Sequence, residues 1–283
     1  MTFNKSRIHT PAGPLAVALF LAALLMAQPA VAQILGSKHD LTSATGTGSY
    51  RTSSTAEICV FCHTPHGGSA SAPLWNKGLG GSGFTLYSSA TLDSVLLPVG
   101  SISAACLSCH DGVGGLDNMI NAPGSGGYTA GGASAGYTWT VGTNVMAAGT
   151  ITNLGPDLAN DHPVGAAYCG SFASAGVCKD PDFKLAALNR LPVGGTVTTG
   201  TGAAVTNGAL TDQYWVDTAG GTSAVREKTD LLLYTRLFVT PAQNLPSVEC
   251  ASCHEPHNGG ASSTPFLRIS NAASALCTTC HSK

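Results

Sequence analysis

The chain has 283 residues, 13 Lys+Arg against 15 Asp+Glu and a formal net charge of −2, with only 10 % charged residues, well below the about 25 % of ordinary soluble proteins. It offers no basic cluster to neutralise a phosphate backbone, which argues against nucleic acid as a partner. Glycine is abundant at 35 residues, and the 10 cysteines call for a role beyond core packing.

Residues 1–32 begin with Lys5 and Arg7, run through LAVALFLAALLMA at 15–27 and end on Ala30-Val31-Ala32, the pattern of a secretory signal peptide. The apolar run is short for a bilayer span, and no cysteine follows it to carry a lipid. Cleavage leaves Gln33–Lys283, expected to be exported, without a membrane span and of a size that suits one or two domains.

GSKHDL at 36–41 then brings His39, and the small polar residues of TSATGTGSYRTSST at 42–55 read as an arm able to extend. CVFCHTPHG at 59–67 carries Cys59, Cys62, His63 and His66; CLSCH at 106–110 carries Cys106, Cys109 and His110. From about 111 to 222 Gly, Ala, Ser and Thr dominate. Helix is disfavoured there, and YTWTV at 137–141 and GTVTTG at 195–200 read as short strands between glycine turns. NDHPVG at 160–165 contains His162, and Cys169 and Cys178 stand outside every CxxC pair. REKTDLLLYTRLF at 226–238 is amphipathic and fits either a helix or a strand. CASCHEPHN at 250–258 repeats the first motif with Cys250, Cys253, His254 and His257; CTTCH at 277–281 closes the series with Cys277, Cys280 and His281.

Cysteines at i and i+3 of one helical turn share a face with the histidine at i+4. That geometry lets two sulfurs bond a porphyrin edge while the imidazole reaches its iron, so CxxCH reads as a c-type haem attachment site. Four CxxC pairs could instead build two zinc ribbons. Zinc has no need of the following histidine, and with 9 His in 283 residues all four pairs would acquire one by chance about once in a million. The reading is therefore four covalent haem c groups, which agrees with export. The chain divides into an N-terminal dihaem unit at 33–110, a Gly/Ala/Ser/Thr-rich insertion with short strands and a distal histidine at 111–249, and a C-terminal dihaem unit at 250–283.

Four haems need four ligands besides His63, His110, His254 and His281. After the signal is removed, Met119 and Met146 are the only thioethers, too few for all four irons. His39, His66, His162 and His257 are the remaining histidines, so bis-histidine ligation uses every one. Pro65 and Pro256 end the motif helices two residues past a ligand. His66 and His257 then sit on the near side of their own haem and are placed to serve a neighbour. The natural recipients are the haem on Cys106/Cys109 for His66 and that on Cys277/Cys280 for His257. His39 and His162 are left for the haems on Cys59/Cys62 and Cys250/Cys253. Cys169 and Cys178, in an oxidising compartment, are expected to form a disulfide.

GSKHDL, EICVFCHTPHGG, NDHPVG and VECASCHEPHNGG followed by LCTTCH resemble the doubled-CxxCH family of bacterial multihaem cytochromes. Among these, the chain is similar to the extracellular tetrahaem, filament-forming outer-membrane cytochrome E type. The matching segments cover about a third of the mature chain. The resemblance implies a fold of low secondary-structure content, with short helices at the motifs, loops, small strands in the insertion and a core formed largely by stacked haems. It also implies His39 and His162 as distal ligands; with every iron six-coordinate on the ligand count, no enzymatic activity is expected. The implied function is electron transfer in a secreted head-to-tail homopolymer, with other multihaem cytochromes or extracellular acceptors as further partners.

His39, on its arm, is the ligand expected to pass to a neighbouring subunit. A monomeric periplasmic shuttle is the alternative. A reductase of small oxyanions would need an open iron that the ligand count does not leave. GLGGSG at 78–83 lacks the strand-turn-helix setting of a nucleotide site.

Overall fold

The computed structural model describes residues 34–78, 83–124, 127–170, 172–174, 177–190, 198–201, 212–218, 226–239, 242–258 and 266–282. The signal segment 1–32, most of GLGGSG and the first half of GTVTTG lie outside the described residues. Gln33–Lys283 form one unit, in which the insertion is not set apart from the two motif regions.

The N-terminal arm is folded back rather than extended. Buried Asp40 accepts bonds from Gly36 N (3.0 Å), Thr42 N (3.1 Å), Thr42 Oγ1 (2.7 Å) and Thr45 Oγ1 (2.6 Å). The turn closes on Gly46, where a Cβ would meet Asp40 O at 2.0 Å; no other residue fits. The small polar residues of the linker are thus its internal hydrogen-bonding partners, which is why composition alone misread it.

Strand β1 (Arg51–Thr52) follows. A 3-10 turn at Ile58–Phe61 carries the first motif, and helix α1 (Ser101–His110) ends on the second. β2 (Asn118–Asn121) and β3 (Tyr128–Ser134) form an antiparallel ladder, and β4 (Trp139–Val141), within the expected YTWTV strand, pairs back with β1.

The rest of the insertion builds a sheet. β5 (Ala166–Ala167), β8 (Ala187–Arg190), β9 (Thr198–Thr201), β10 (Asp212–Val216), β11 (Leu231–Val239) and β12 (Ala242–Val248) form six antiparallel strands in the order β5-β12-β11-β10-β8-β9. A separate ladder of β6 (Phe172–Ser174) and β7 (Val177–Cys178) carries the Cys169–Cys178 disulfide, with Cα atoms 5.2 Å apart.

The amphipathic stretch at 226–238 becomes strand from Leu231 on, because β11 is flanked on both sides: Leu233 pairs with Tyr214 and Leu237 with Asn244. Tyr168, Tyr214, Val216, Leu231 and Leu233 pack in one apolar cluster, and Ala167, Phe238 and Leu245 with Leu97 in a second. The insertion therefore supplies the buried residues of a side-chain core, against which Ile269, Leu276 and Cys280 of the C-terminal region and Leu97 of the N-terminal region also pack. Short helices α2 (Cys250–Cys253) and α3 (Ala275–Cys280) hold the third and fourth motifs. β12 runs directly into α2, so the sheet fixes where the third motif begins.

Candidate haem-binding site

Each motif closes one helical turn on itself. His63 N donates to Cys59 O (2.8 Å), His254 N to Cys250 O (3.1 Å) and His281 N to Cys277 O (3.0 Å), while His110 is the last residue of α1. This is the turn that places both sulfurs and the imidazole on one side. The eight motif cysteines carry free thiols.

Thiols of different motifs act on one another electrostatically. Burial pushes Cys62 up to about 12, and neighbouring Cys109 adds to the shift. Cys106 is raised first by its bond with Cys250, then by burial. Burial also raises Cys253, with Cys250 and Cys277 contributing. Cys280 rises to about 12, again by burial first and then by Cys253. The second and third motifs are tied by a buried joint. Ser103 Oγ donates to Glu249 Oε2 and accepts from Cys250 N (3.0 Å), and Arg236 Nη1 reaches Glu249 Oε1 at 2.5 Å. An open cavity of about 450 Å³ lies between the loop after His66, α1 and β11, walled by Ala72, Pro73, Leu74, Ile102 and Tyr234.

The histidines show a shared preparation. Nδ1 of His63 faces Pro73 O (2.9 Å), that of His110 Thr152 O (2.7 Å), that of His162 Pro163 O (3.1 Å) and that of His39 Pro256 O (3.4 Å). A backbone carbonyl holds the proton on Nδ1 and leaves Nε2 as the lone-pair donor, the tautomer that binds a metal. Burial lowers His39 to about 4, helped by His110, and likewise lowers His110 and His254. Those imidazoles are neutral at neutral pH, as ligation requires.

Two ring pairs have the spacing of axial partners. With metal–nitrogen bonds of about 2 Å and ring centres about 1 Å beyond, two imidazoles on one metal have centroids about 6 Å apart. His63 and His257 are 6.0 Å apart at an interplanar angle of 16°, and His39 and His110 are 6.2 Å apart at 66°. His162 bears electrostatically on His281, which burial has already lowered, and Phe183 lies 4.4 Å from the His281 ring.

The pairing differs from the one expected from order along the chain. His39 faces the second motif because the folded arm seats its ring on Phe266 (4.0 Å) beside Pro256. His257 faces the first motif rather than the fourth. Among the described residues no histidine ring faces His66, which is exposed, and none faces His254 at such spacing. Met119 is buried at 2 % exposure under the β2–β3 ladder.

Among the described residues no three His, Cys, Asp or Glu side chains converge into a metal-chelating group. Free paired thiols, ring nitrogens oriented by carbonyls and twofold histidine spacing fit a covalently held haem.

Sequence reasoning missed Glu255, whose Oε1 accepts from His257 Nδ1 at 3.1 Å, and the Ser103–Glu249 joint. For Glu255 a signal existed: the two long motifs read CHTPH and CHEPH, differing only at Thr64 and Glu255.

Residues 244–283 match the family described as the doubled CXXCH motif. The match supports a multihaem c-type cytochrome. It spans β12, α2 and α3, the third and fourth motifs with the strand that positions them. Covalent haem c is the cofactor that these motifs indicate, and electron transfer is the role such groups supply. No curated protein matches the chain.

Proposed function

We propose that the protein is an exported tetrahaem electron-transfer cytochrome without catalytic activity that polymerises outside the cell. Each motif thiol would add across a haem vinyl group to form a thioether, and each iron would exchange one electron between its ferric and ferrous states. The chain's own contribution is to fix the ligands. On this reading His63 and His257 hold the haem on Cys59/Cys62, His110 and His39 that on Cys106/Cys109, and His281 and His162 that on Cys277/Cys280. The observation that carries the reading is the pair of histidine couples at 6.0 and 6.2 Å.

The haem on Cys250/Cys253 then has His254 and, among the described residues, no second ligand left over from its own chain, while exposed His66 faces no described histidine ring. His66 of one subunit serving His254's haem in the next completes the count. Repetition of this head-to-tail contact gives an open filament. On this reading His39, its arm folded onto Pro256 and Phe266, serves its own chain.

Intact-mass measurement of the exported protein tests the first part and should show four haem additions. Stoichiometric binding of carbon monoxide by the reduced protein would refute full ligation. Imaging of His66→Ala tests the second part and should find dispersed subunits with one five-coordinate iron. Normal filaments with four low-spin haems would refute exchange through His66.

A further inference from the structure

The repeated CHTPH and CHEPH motifs place different groups beside their second histidine. In the first, Thr64 Oγ1 donates to His66 O at 3.1 Å, and no carboxylate touches the His66 ring among the described residues. In the second, Glu255 Oε1 accepts from both His257 N (3.2 Å) and His257 Nδ1 (3.1 Å). His257 Nδ1 thus meets a carboxylate oxygen, whereas the Nδ1 atoms of His39, His63, His110 and His162 are turned to neutral carbonyls.

Glu255 is held in place from behind. Arg268 Nη1 binds its other oxygen, Oε2, at 3.1 Å, and the Arg268 side chain is 3 % exposed. Arg268 is itself fixed by Ala251 O (3.1 Å) and Lys228 O (3.3 Å). The carboxylate cannot swing away from the ring without giving up a buried ion pair.

Resting on the axial assignment above, we propose that Glu255 is a tuning residue that lowers the reduction potential of the haem on Cys59/Cys62 through His257. A carboxylate accepting the Nδ1 proton makes Nε2 a stronger donor than a carbonyl does, because it stabilises positive charge building up on the ring. A stronger donor and a nearby negative charge both favour ferric over ferrous iron, so the potential falls. The carboxylate thereby sets the haem on Cys59/Cys62 apart from that on Cys106/Cys109, whose His110 and His39 both turn Nδ1 to neutral carbonyls.

The test uses the haem-loaded full-length protein with Glu255→Gln, which keeps shape but removes charge, and Glu255→Thr, which installs the residue of the first repeat. Potentiometric titration followed by visible spectra resolves the haems, and electron paramagnetic resonance reports their axial fields. One component should move upward in both variants. The ratio of reduced to oxidised haem at fixed potential should rise about tenfold, or about 59 mV for one electron. The axial field of that component should weaken, and all four irons should stay low-spin.

Four low-spin haems with unchanged potentials would overturn the proposal. So would a high-spin iron in both variants, since Glu255 would then only hold His257 in place. Wild-type protein without covalent haem would instead overturn the electron-transfer reading, and this inference with it.

Discussion

Ser103→Ala should separate the second and third motifs energetically. Ser103 is fully buried on α1, its hydroxyl donates to the buried Glu249 carboxylate and its oxygen accepts Cys250 N at 3.0 Å. The substitution removes one bond to a charged group, about 1.5–3 kcal/mol, and orphans a buried N–H, about 1–3 kcal/mol. The two share a site and are not strictly additive, so the expected loss is about 3–5 kcal/mol.

The pH dependence has a definite sign. Burial lifts Glu249 above the usual carboxylate range, against the pull of Ser103 and Arg236. A carboxyl with a raised folded value contributes most below its unfolded value, and that contribution is lost as pH rises through the folded value. Losing Ser103 raises Glu249 further and moves the window upward. Glu249→Gln should abolish this slope. Urea unfolding of the haem-loaded protein across pH measures both effects, with exposed Thr278→Ala as a control expected within about 0.5 kcal/mol. A loss below about 1 kcal/mol, or a window that stays in place, would show that the joint does not couple the motifs.

Joint replacement of Cys169 and Cys178 by alanine should cost about 2–3 kcal/mol, from the entropy of a closed loop of about ten residues, measured by urea unfolding; alkylation of either cysteine in unreduced, denatured wild type would refute the bond. Lys77 is 1 % exposed and donates to Gly115 O (3.0 Å), Leu116 O (2.8 Å) and Asn118 O (3.2 Å). Lys77→Met removes three bonds from a charged donor, the one to Leu116 O buried, while Gly115 O keeps Asn118 N at 3.0 Å; the expected loss is about 3 kcal/mol at unchanged denaturant slope. A stability within about 1 kcal/mol of wild type would refute it.

The attachment chemistry was legible because it is local: two cysteines and a histidine within five residues need only one helical turn. The NDHPVG signature is legible afterwards as backbone geometry. Gly165 has φ +72°, and a Cβ there would lie 2.7 Å from Leu97 O, while Gly165 N bonds Val248 O at 2.8 Å. The glycine thus carries the chain from His162 into β5.

Which histidine meets which motif was not legible, since it depends on contacts such as His39 with Pro256, 217 positions apart. The insertion misled for another reason. Its glycine, serine and threonine hide a few large side chains, Tyr168, Tyr214 and Trp215, each 1 % exposed, and those few suffice to seat a sheet. In β11 the run Leu231-Leu232-Leu233 suits either periodicity, and only the strands beside it decide.

The surroundings of His254 bear on the choice between a conduit and a reductase. A reductase needs an iron with an open axial position and a mobile or solvent-facing cation to receive an anionic substrate. On the proposed reading, His254 is the motif histidine left without a second ligand among the described residues of its own chain, so it is where such a site would form. The cation acting on it is Arg268, which is already engaged by Ala251 O, Lys228 O and Glu255 Oε2 and is buried. Freeing it to bind an oxyanion would strand the Glu255 carboxylate beside His257 and disturb the ligand of a neighbouring haem. An imidazole from a second subunit makes no such demand, because a neutral ligand needs no countercharge. Cys106 hydrogen-bonds Cys250, and Cys277 acts on Cys253, so this motif has thiols of the second and the fourth motif as neighbours. On the proposed reading it is a junction where one subunit's haems meet the next, not a place where substrate is turned over.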